Sequence, residues 1–210
     1  MSSYPCFISF RHFGDPISDA FVNQFFDSLK AYLNPLIGKA PFIDFDRMKA
    51  GYSLKPALAD AICNSVCMIV IWSPQYFNEE HIWCTMEYKA MMDLEKKRLA
   101  LLPQNQQYKK LIIPVIYKGS KYYPEELSEE TLYLNFEKFA LFETEMIKNK
   151  SFATEIEKLA EYIYERITEF EENGIDPFGN CNQFVLPSKQ DALNFIKTDL
   201  KKPQHEFPFR

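Results

Sequence analysis

Hydrophobic and polar positions fall along this chain in blocks of two different periods. Short apolar runs at Cys6-Phe7-Ile8-Ser9-Phe10, Pro41-Phe42-Ile43-Asp44-Phe45, Val66 to Trp72 and Leu111 to Tyr117 read as strands, with a shorter fifth at Leu132 to Phe136. The run from Val66 to Trp72 is apolar at every position, as in a strand covered on both faces within a parallel sheet. Pro114 inside the fourth run places it near an edge or a bulge. Helical spacing fills the intervals. From Ile17 to Leu36, Phe21, Val22, Phe25, Phe26, Leu29, Tyr32 and Leu33 make one stripe, with Asp15 or Ser18 as cap and Pro35 and Gly38 at its end. Lys55 to Asn64 reads as a short helix with Leu58, Ala61 and Ile62 inward. Phe152 to Glu171 is amphipathic through Ile156, Leu159, Ala160, Ile163 and Ile167.

This alternation predicts an α/β fold: a flavodoxin-like, doubly wound, about five-stranded and mostly parallel sheet flanked by helices. Residues 1–172 form the expected domain. Beyond Asn173, glycines and prolines break the rhythm, and residues 173–210 read as a C-terminal extension with a short helix from Lys189 to Leu200. The extension either packs on the domain or serves a partner.

The helix predicted from Trp83 to Leu101 carries the main irregularity. Trp83, Met86, Ala90, Leu94 and Leu101 share one side, within an arc of roughly 80°. Tyr88, Lys89, Met92, Asp93, Glu95 and Lys96 take the other. Glu87 stands one turn after Trp83, on the apolar side. A carboxylate there has a partner, a shifted pKa or a task, and the helix pattern leaves these open.

Composition narrows the classes. With 210 residues, 47% of them hydrophobic, the chain can bury one sizeable core. A net charge of −5 argues against a nucleic-acid surface. No apolar run is long enough for a membrane span, and the N-terminus lacks a signal-peptide pattern, so the expected location is cytoplasmic. Cys6, Cys63, Cys67, Cys84 and Cys181 include no CxxC pair and read as buried free thiols. His12, His81 and His205 make no ligand set, and no metal site is expected. There is no G-x-G-x-x-G, no phosphate-binding P-loop and no nucleophile elbow. The acids of a receiver domain are replaced by Ser9-Phe10-Arg11 and Ser73.

Open α/β sheets bind ligands beyond the carboxyl ends of their strands. Ser9-Phe10-Arg11, Asp44-Phe45-Asp46-Arg47, Ser73-Pro74 and the first turns of the Trp83 helix all end on that rim. These segments resemble the TIR (Toll/interleukin-1 receptor) domain family. Cys6 to Arg11 is similar to its "F-I-S-Y-R" opening strand, with Phe10 in place of the usual tyrosine. Phe42 to Gly51 resembles its second strand and the following BB loop. Ile69 to Tyr76 resembles the third strand with an "S-x-x-Y" exit. Trp83-Cys84-Thr85-Met86-Glu87 matches both "W-C-x-x-E" and the W-x-x-x-E spacing of catalytic members. The extension has no counterpart in a minimal domain of this family.

The resemblance implies cleavage of NAD+ at the nicotinamide–ribose bond, with Glu87 as catalytic residue and Phe10, Arg11, Asp46, Ser73 and Trp83 as substrate contacts. The departing nicotinamide leaves from a pyridinium and needs no protonation, which removes one of the two carboxylates an ordinary glycosidase uses. An ionised Glu87 could stabilise the oxocarbenium-like ribose. No permanently bound cofactor is expected; NAD+ is the substrate. The resemblance further implies a homo-oligomer assembled through the BB loop, residues 46–53, a partner effector protein, and a role in prokaryotic antiviral defence or NAD-derived signalling. Plainer readings stand beside these. Trp83 could anchor the helix to the core, Arg11 could pair with Asp44 or Asp46, and Asp44 could brace the BB loop. Phe10 could be core, although a strand end favours an exposed ring. Asp46, Arg47 and Lys49 could be a solvated loop. A non-catalytic TIR adaptor is the alternative function, and a nucleoside deoxyribosyltransferase-like enzyme a weaker one.

Overall fold

Eight successive buried residues, Ser65–Trp72, form β3, the centre of the sheet. The computed structural model describes residues 3–12, 14–43, 53–140, 145–179 and 181–200. Around β3 the chain runs β1 (Tyr4–Phe10), α1 (Pro16–Ile37), β2 (Phe42–Ile43), α2 (Leu54–Cys63), then β3, α3 (Trp83–Leu99), β4 (Ile112–Ile116), α4 (Glu125–Glu130), β5 (Leu134–Asn135), α5 (Lys150–Glu172) and α6 (Lys189–Asn194). The strands pair in parallel in the order β2-β1-β3-β4-β5. This is the expected doubly wound α/β order. Phe42 and Ile43 carry the predicted second strand, whose Asp44 and Phe45 lie outside the described residues, as do Asp46 to Tyr52.

Local chemistry explains the boundaries. Asp15 caps α1, its Oδ1 accepting from Ile17 N at 3.1 Å and Ser18 N at 2.9 Å. The alternative cap, Ser18, is instead buried and bonds the Tyr117 hydroxyl at 3.1 Å. Gly38 ends α1 at φ 70°, a left-handed conformation that favours glycine. α1 packs on α5, and α2 on α3. Pro114 sits in β4 at a place with no neighbour to disappoint. Ile116 O accepts from Phe136 N, so residues 112, 114 and 116 turn their backbone toward β5, whose register begins only at Val115. The missing N–H of Pro114 therefore faces the unpaired part of that edge.

α3 departs from the helical-wheel expectation. It ends at Leu99, and Leu101 beyond it is 58% exposed. Tyr88 and Glu95, placed on the polar side by periodicity, are buried. The cause is a second covering layer. The extension folds back, and Ala192 of α6 with Ile196 of the following π-helical turn closes a small core over Ile82 and Met86. Phe195 stands 6.0 Å from the Phe77 ring and 5.8 Å from Tyr88. Glu95 is buried for another reason: its carboxylate accepts from Leu111 N at 2.6 Å and Ile112 N at 2.8 Å, satisfying the start of β4.

Arg98 and a disulfide hold the extension near the end of α2. The guanidinium of Arg98 donates to Cys63 O and Ser65 O, both at 2.6 Å, and to Pro177 O at 3.0 Å. Burial pushes its pKa down to about 10, so it remains charged at neutral pH. The second link corrects the free-thiol expectation for two cysteines: Cys63 and Cys181 form a disulfide across 118 residues, with Cα atoms 5.4 Å apart. Cys6, Cys67 and Cys84 are buried thiols outside any disulfide. Spacing could not reveal the bridge, because the extension's return to the end of α2 is a tertiary event. Among the described residues no helix is long and apolar enough to cross a membrane.

Cys181→Ser is expected to lower stability by about 2–4 kcal/mol, as for a natural disulfide closing a long loop. Thermal unfolding with and without dithiothreitol checks this: reductant should lower the midpoint of the wild type and leave that of the variant unchanged.

Candidate functional site

β1 and β3 are neighbours in space, yet the chain leaves β1 for β2 on one side and reaches β4 from β3 on the other. A crevice opens at the carboxyl ends of such strands. β1 delivers Ser9 and Phe10 to it, with Phe10 opposite Ile71, and Ser73 follows directly after β3. The second turn of α3 brings Glu87 to the same end.

Glu87 is buried, 7% exposed, and accepts a hydrogen bond from the Ser9 hydroxyl at 2.6 Å on Oε2. Ser9 Oγ lies 2.5 Å from the Tyr76 hydroxyl, and both residues are buried. Burial pushes the Tyr76 phenol well above the usual tyrosine range, with Cys84 and Glu87 nearby adding to the shift. The Cys84 thiol donates to Phe10 O at 3.4 Å and fastens the first turn of α3 to the end of β1.

The exit of β3 positions Tyr76. Its N–H donates to Ser73 O at 2.9 Å, closing a tight turn, and Arg11 Nη1 donates to Gln75 O at 3.3 Å. Gly119, at φ 73°, lies against this turn: a Cβ there would stand 2.5 Å from Pro74 Cγ. Ser73 Oγ and Thr85 Oγ1 are buried hydroxyls without a hydrogen-bond partner among the described residues.

The sequence-predicted residues fare unequally. Glu87, Arg11, Ser73 and Phe10 come together at the carboxyl end of the sheet. Phe10 is not the exposed ring expected of a strand end. It is 7% exposed, part of the core, with its ring 4.3 Å from that of His12. Trp83 is partly buried between the main core and the small core under the extension, as an anchor would be. Asp46, the proposed partners of Arg11 (Asp44 and Asp46) and the BB-loop residues up to Tyr52 lie outside the described residues. Ser9 and Tyr76 received no role from the sequence, although a serine inside an apolar buried strand and the S-x-x-Y spacing were signals for them.

The assembly so defined is a doubly wound α/β domain with a buried, hydroxyl-bound carboxylate at its topological switch point. The chain belongs to the TIR domain family, whose model matches residues 6–149. Two solved structures are similar to it. One is the TIR domain of the Toll-related receptor TRR-2 from Hydra magnipapillata, at 19% identity and TM-score 0.45, over 73% of this chain and 98% of that one. The other is the TIR domains of the activated Roq1 resistosome recognising the pathogen effector XopQ, at 20% identity and TM-score 0.42, over 94% and 99%. No curated protein matches the chain. Membership rests on the family match, and the fold on the sheet order.

Gly119→Ala tests the packing of the β3 exit. At Gly38 a Cβ meets nothing within 4 Å, so alanine there should cost only the left-handed backbone penalty, about 1 kcal/mol. Gly119→Ala is expected to cost clearly more, read as the larger drop in thermal midpoint, because Pro74 must also move.

Proposed function

We propose that this protein is an NAD+-cleaving enzyme that breaks the nicotinamide–ribose bond, with Glu87 as the catalytic carboxylate. The observation that carries this reading is the Ser9-bound, buried Glu87 at the crevice between β1 and β3. Scission leaves positive charge on the ribose ring while nicotinamide departs neutral, so the protein's task is to stabilise that cation in a sheltered site until water, or another nucleophile in its place, bonds to the ribose carbon and completes the reaction. A pair of unit charges about 4 Å apart is worth about 1 kcal/mol in water and about 4 kcal/mol at an effective dielectric near 20. The difference, about 3 kcal/mol, is roughly a hundredfold in rate, so shelter decides whether one carboxylate is enough. Ser73 and Arg11, at the same end of the sheet, are the proposed contacts for the polar parts of the dinucleotide. Asp46, Phe10 and Trp83 remain proposed contacts through family resemblance, Phe10 by its ring edge given its burial.

In this reading NAD+ is the substrate and no cofactor is held permanently. Activity arises in a homo-oligomer in which a neighbour's BB loop, residues 46–53, completes the pocket. The setting is cytoplasmic defence or NAD-derived signalling, with a partner effector reading the product. One observation favours the adaptor alternative: Phe10 and Trp83, the aromatic groups at the rim, are committed to packing.

The test is incubation with NAD+, wild type beside Glu87→Ala, with products resolved by chromatography and mass. Nicotinamide release should fall by at least roughly a hundredfold in the variant, as for loss of a charge-stabilising group. Equal release by both proteins removes Glu87 from catalysis, and no release by either at any protein concentration favours the adaptor. A second outcome concerns assembly. Specific activity should rise with protein concentration, and a full rate in dilute monomer, verified by light scattering, would contradict the oligomer requirement.

A further inference from the structure

We propose that Ser9 and Tyr76 are positioning residues that hold the Glu87 carboxylate in a single orientation through a directed chain of two hydrogen bonds; the inference rests on the catalytic reading of Glu87. The direction follows from counting protons. A serine hydroxyl has one proton to give, and that of Ser9 goes to Glu87 Oε2 at 2.6 Å. The contact of 2.5 Å between Ser9 Oγ and the Tyr76 hydroxyl can then be made only with Tyr76 as donor. Tyr76 is fully buried and its phenol keeps its proton, so the donor is permanent. The Tyr76 bond polarises the Ser9 hydroxyl, and the chain ends on the carboxylate.

A glutamate on a helix has three side-chain torsions and can swing its carboxylate by several ångströms. A site that must meet a developing charge has to restrain that freedom. Ser9 sits on β1, held by pairing to β3 opposite Val70. Tyr76 sits in the turn closed on Ser73 and packs edge-on against Phe77 at 4.9 Å. The two donors thus belong to the rigid sheet and its exit turn, and the acceptor to the helix. A buried tyrosine needs some partner in any protein. What separates this arrangement from simple satisfaction is that Tyr76 reaches a serine whose own proton is already committed to Glu87.

Steady-state kinetics of nicotinamide release on the full chain tests this. Ser9→Ala should lower kcat roughly 10- to 100-fold, the worth of a hydrogen bond to a charged group, with KM unchanged to within about threefold. Ser9→Cys, which keeps the shape but has only a weak donor, should lose as much. Ser9→Thr, which restores the hydroxyl, should recover most of the rate. Tyr76→Phe should cost roughly 3- to 10-fold, and the Ser9→Ala/Tyr76→Phe double variant should be no slower than Ser9→Ala alone. Multiplying losses, or a rise in KM at constant kcat, overturn the proposal. Thermal midpoints confirm that each variant is folded at the assay temperature; if Ser9→Ala is not, Ser9→Cys and Tyr76→Phe carry the test. Full activity of Glu87→Gln would fell the catalytic reading itself. An inactive Glu87→Gln beside a fully active Ser9→Ala would fell only the positioning role.

Discussion

The parallel pairing of β1 with β3 is the constraint on which the rest depends. The two strands are in register from Tyr4 opposite Ser65 to Phe10 opposite Ile71, and β3 is buried along its whole length. Strands so placed cannot face water, so helices must lie on both faces of the sheet. Because consecutive parallel strands need right-handed crossovers, leaving β1 in one direction and β3 in the other puts α1 and α3 on opposite faces. The crevice at the carboxyl ends follows from that divergence and owes nothing to any particular side chain. It gains a polar group from β1 because the second-last residue of that strand is a serine and not another aliphatic, and its hydroxyl meets Glu87.

Three glutamates are buried in the described structure, and their surroundings differ. Glu95 accepts two backbone amides at the start of β4; burial raises its pKa while those amides pull it back. Glu169, late in α5, lies against the guanidinium of Arg166 and the ammonium of Lys109. Both stand at the amino end of the sheet and satisfy groups the fold would otherwise strand. Glu87 stands at the carboxyl end, and the partner defined for it is a hydroxyl that already has a second partner of its own. Glu87 is thus tied to the sheet through Ser9, and through Ser9 to the exit turn of β3.

What periodicity could reveal, it revealed: Val66 to Trp72 had to be a two-sided strand, and Phe21 to Leu33 one helical stripe. W-x-x-x-E brought Glu87 forward. Periodicity reports on one neighbour at a time, and it failed where an element has two. α3 faces the sheet on one side and the extension on the other, so Tyr88 is buried although the pattern placed it outward. Phe10 was misplaced for a related reason, since a strand end is exposed only if nothing folds over it. The Cys63–Cys181 bridge and the Glu95 contact to β4 were invisible because they join segments far apart in sequence. Ser9 and Tyr76 were visible as residues but not as a pair, since strand and turn meet only once the sheet has formed.

The extension is better understood as part of the frame around the site than as an appendage. Phe195 supports Phe77 and Tyr88, and Phe77 in turn lies edge-on to Tyr76. Ala192 and Ile196 cover Ile82 and Met86, which flank Trp83 at the start of the helix that carries Glu87. In a domain ending at Glu172 these apolar groups would face water, at a cost that rises with every square ångström uncovered. The disulfide and Arg98 both fix the extension near the end of α2, at the opposite end of α3 from its contact with Trp83. The covering layer is therefore anchored away from the crevice and reaches its near end through packing and the Lys197–Glu79 ion pair at 3.7 Å, so Glu87 and the extension are joined by one continuous set of contacts.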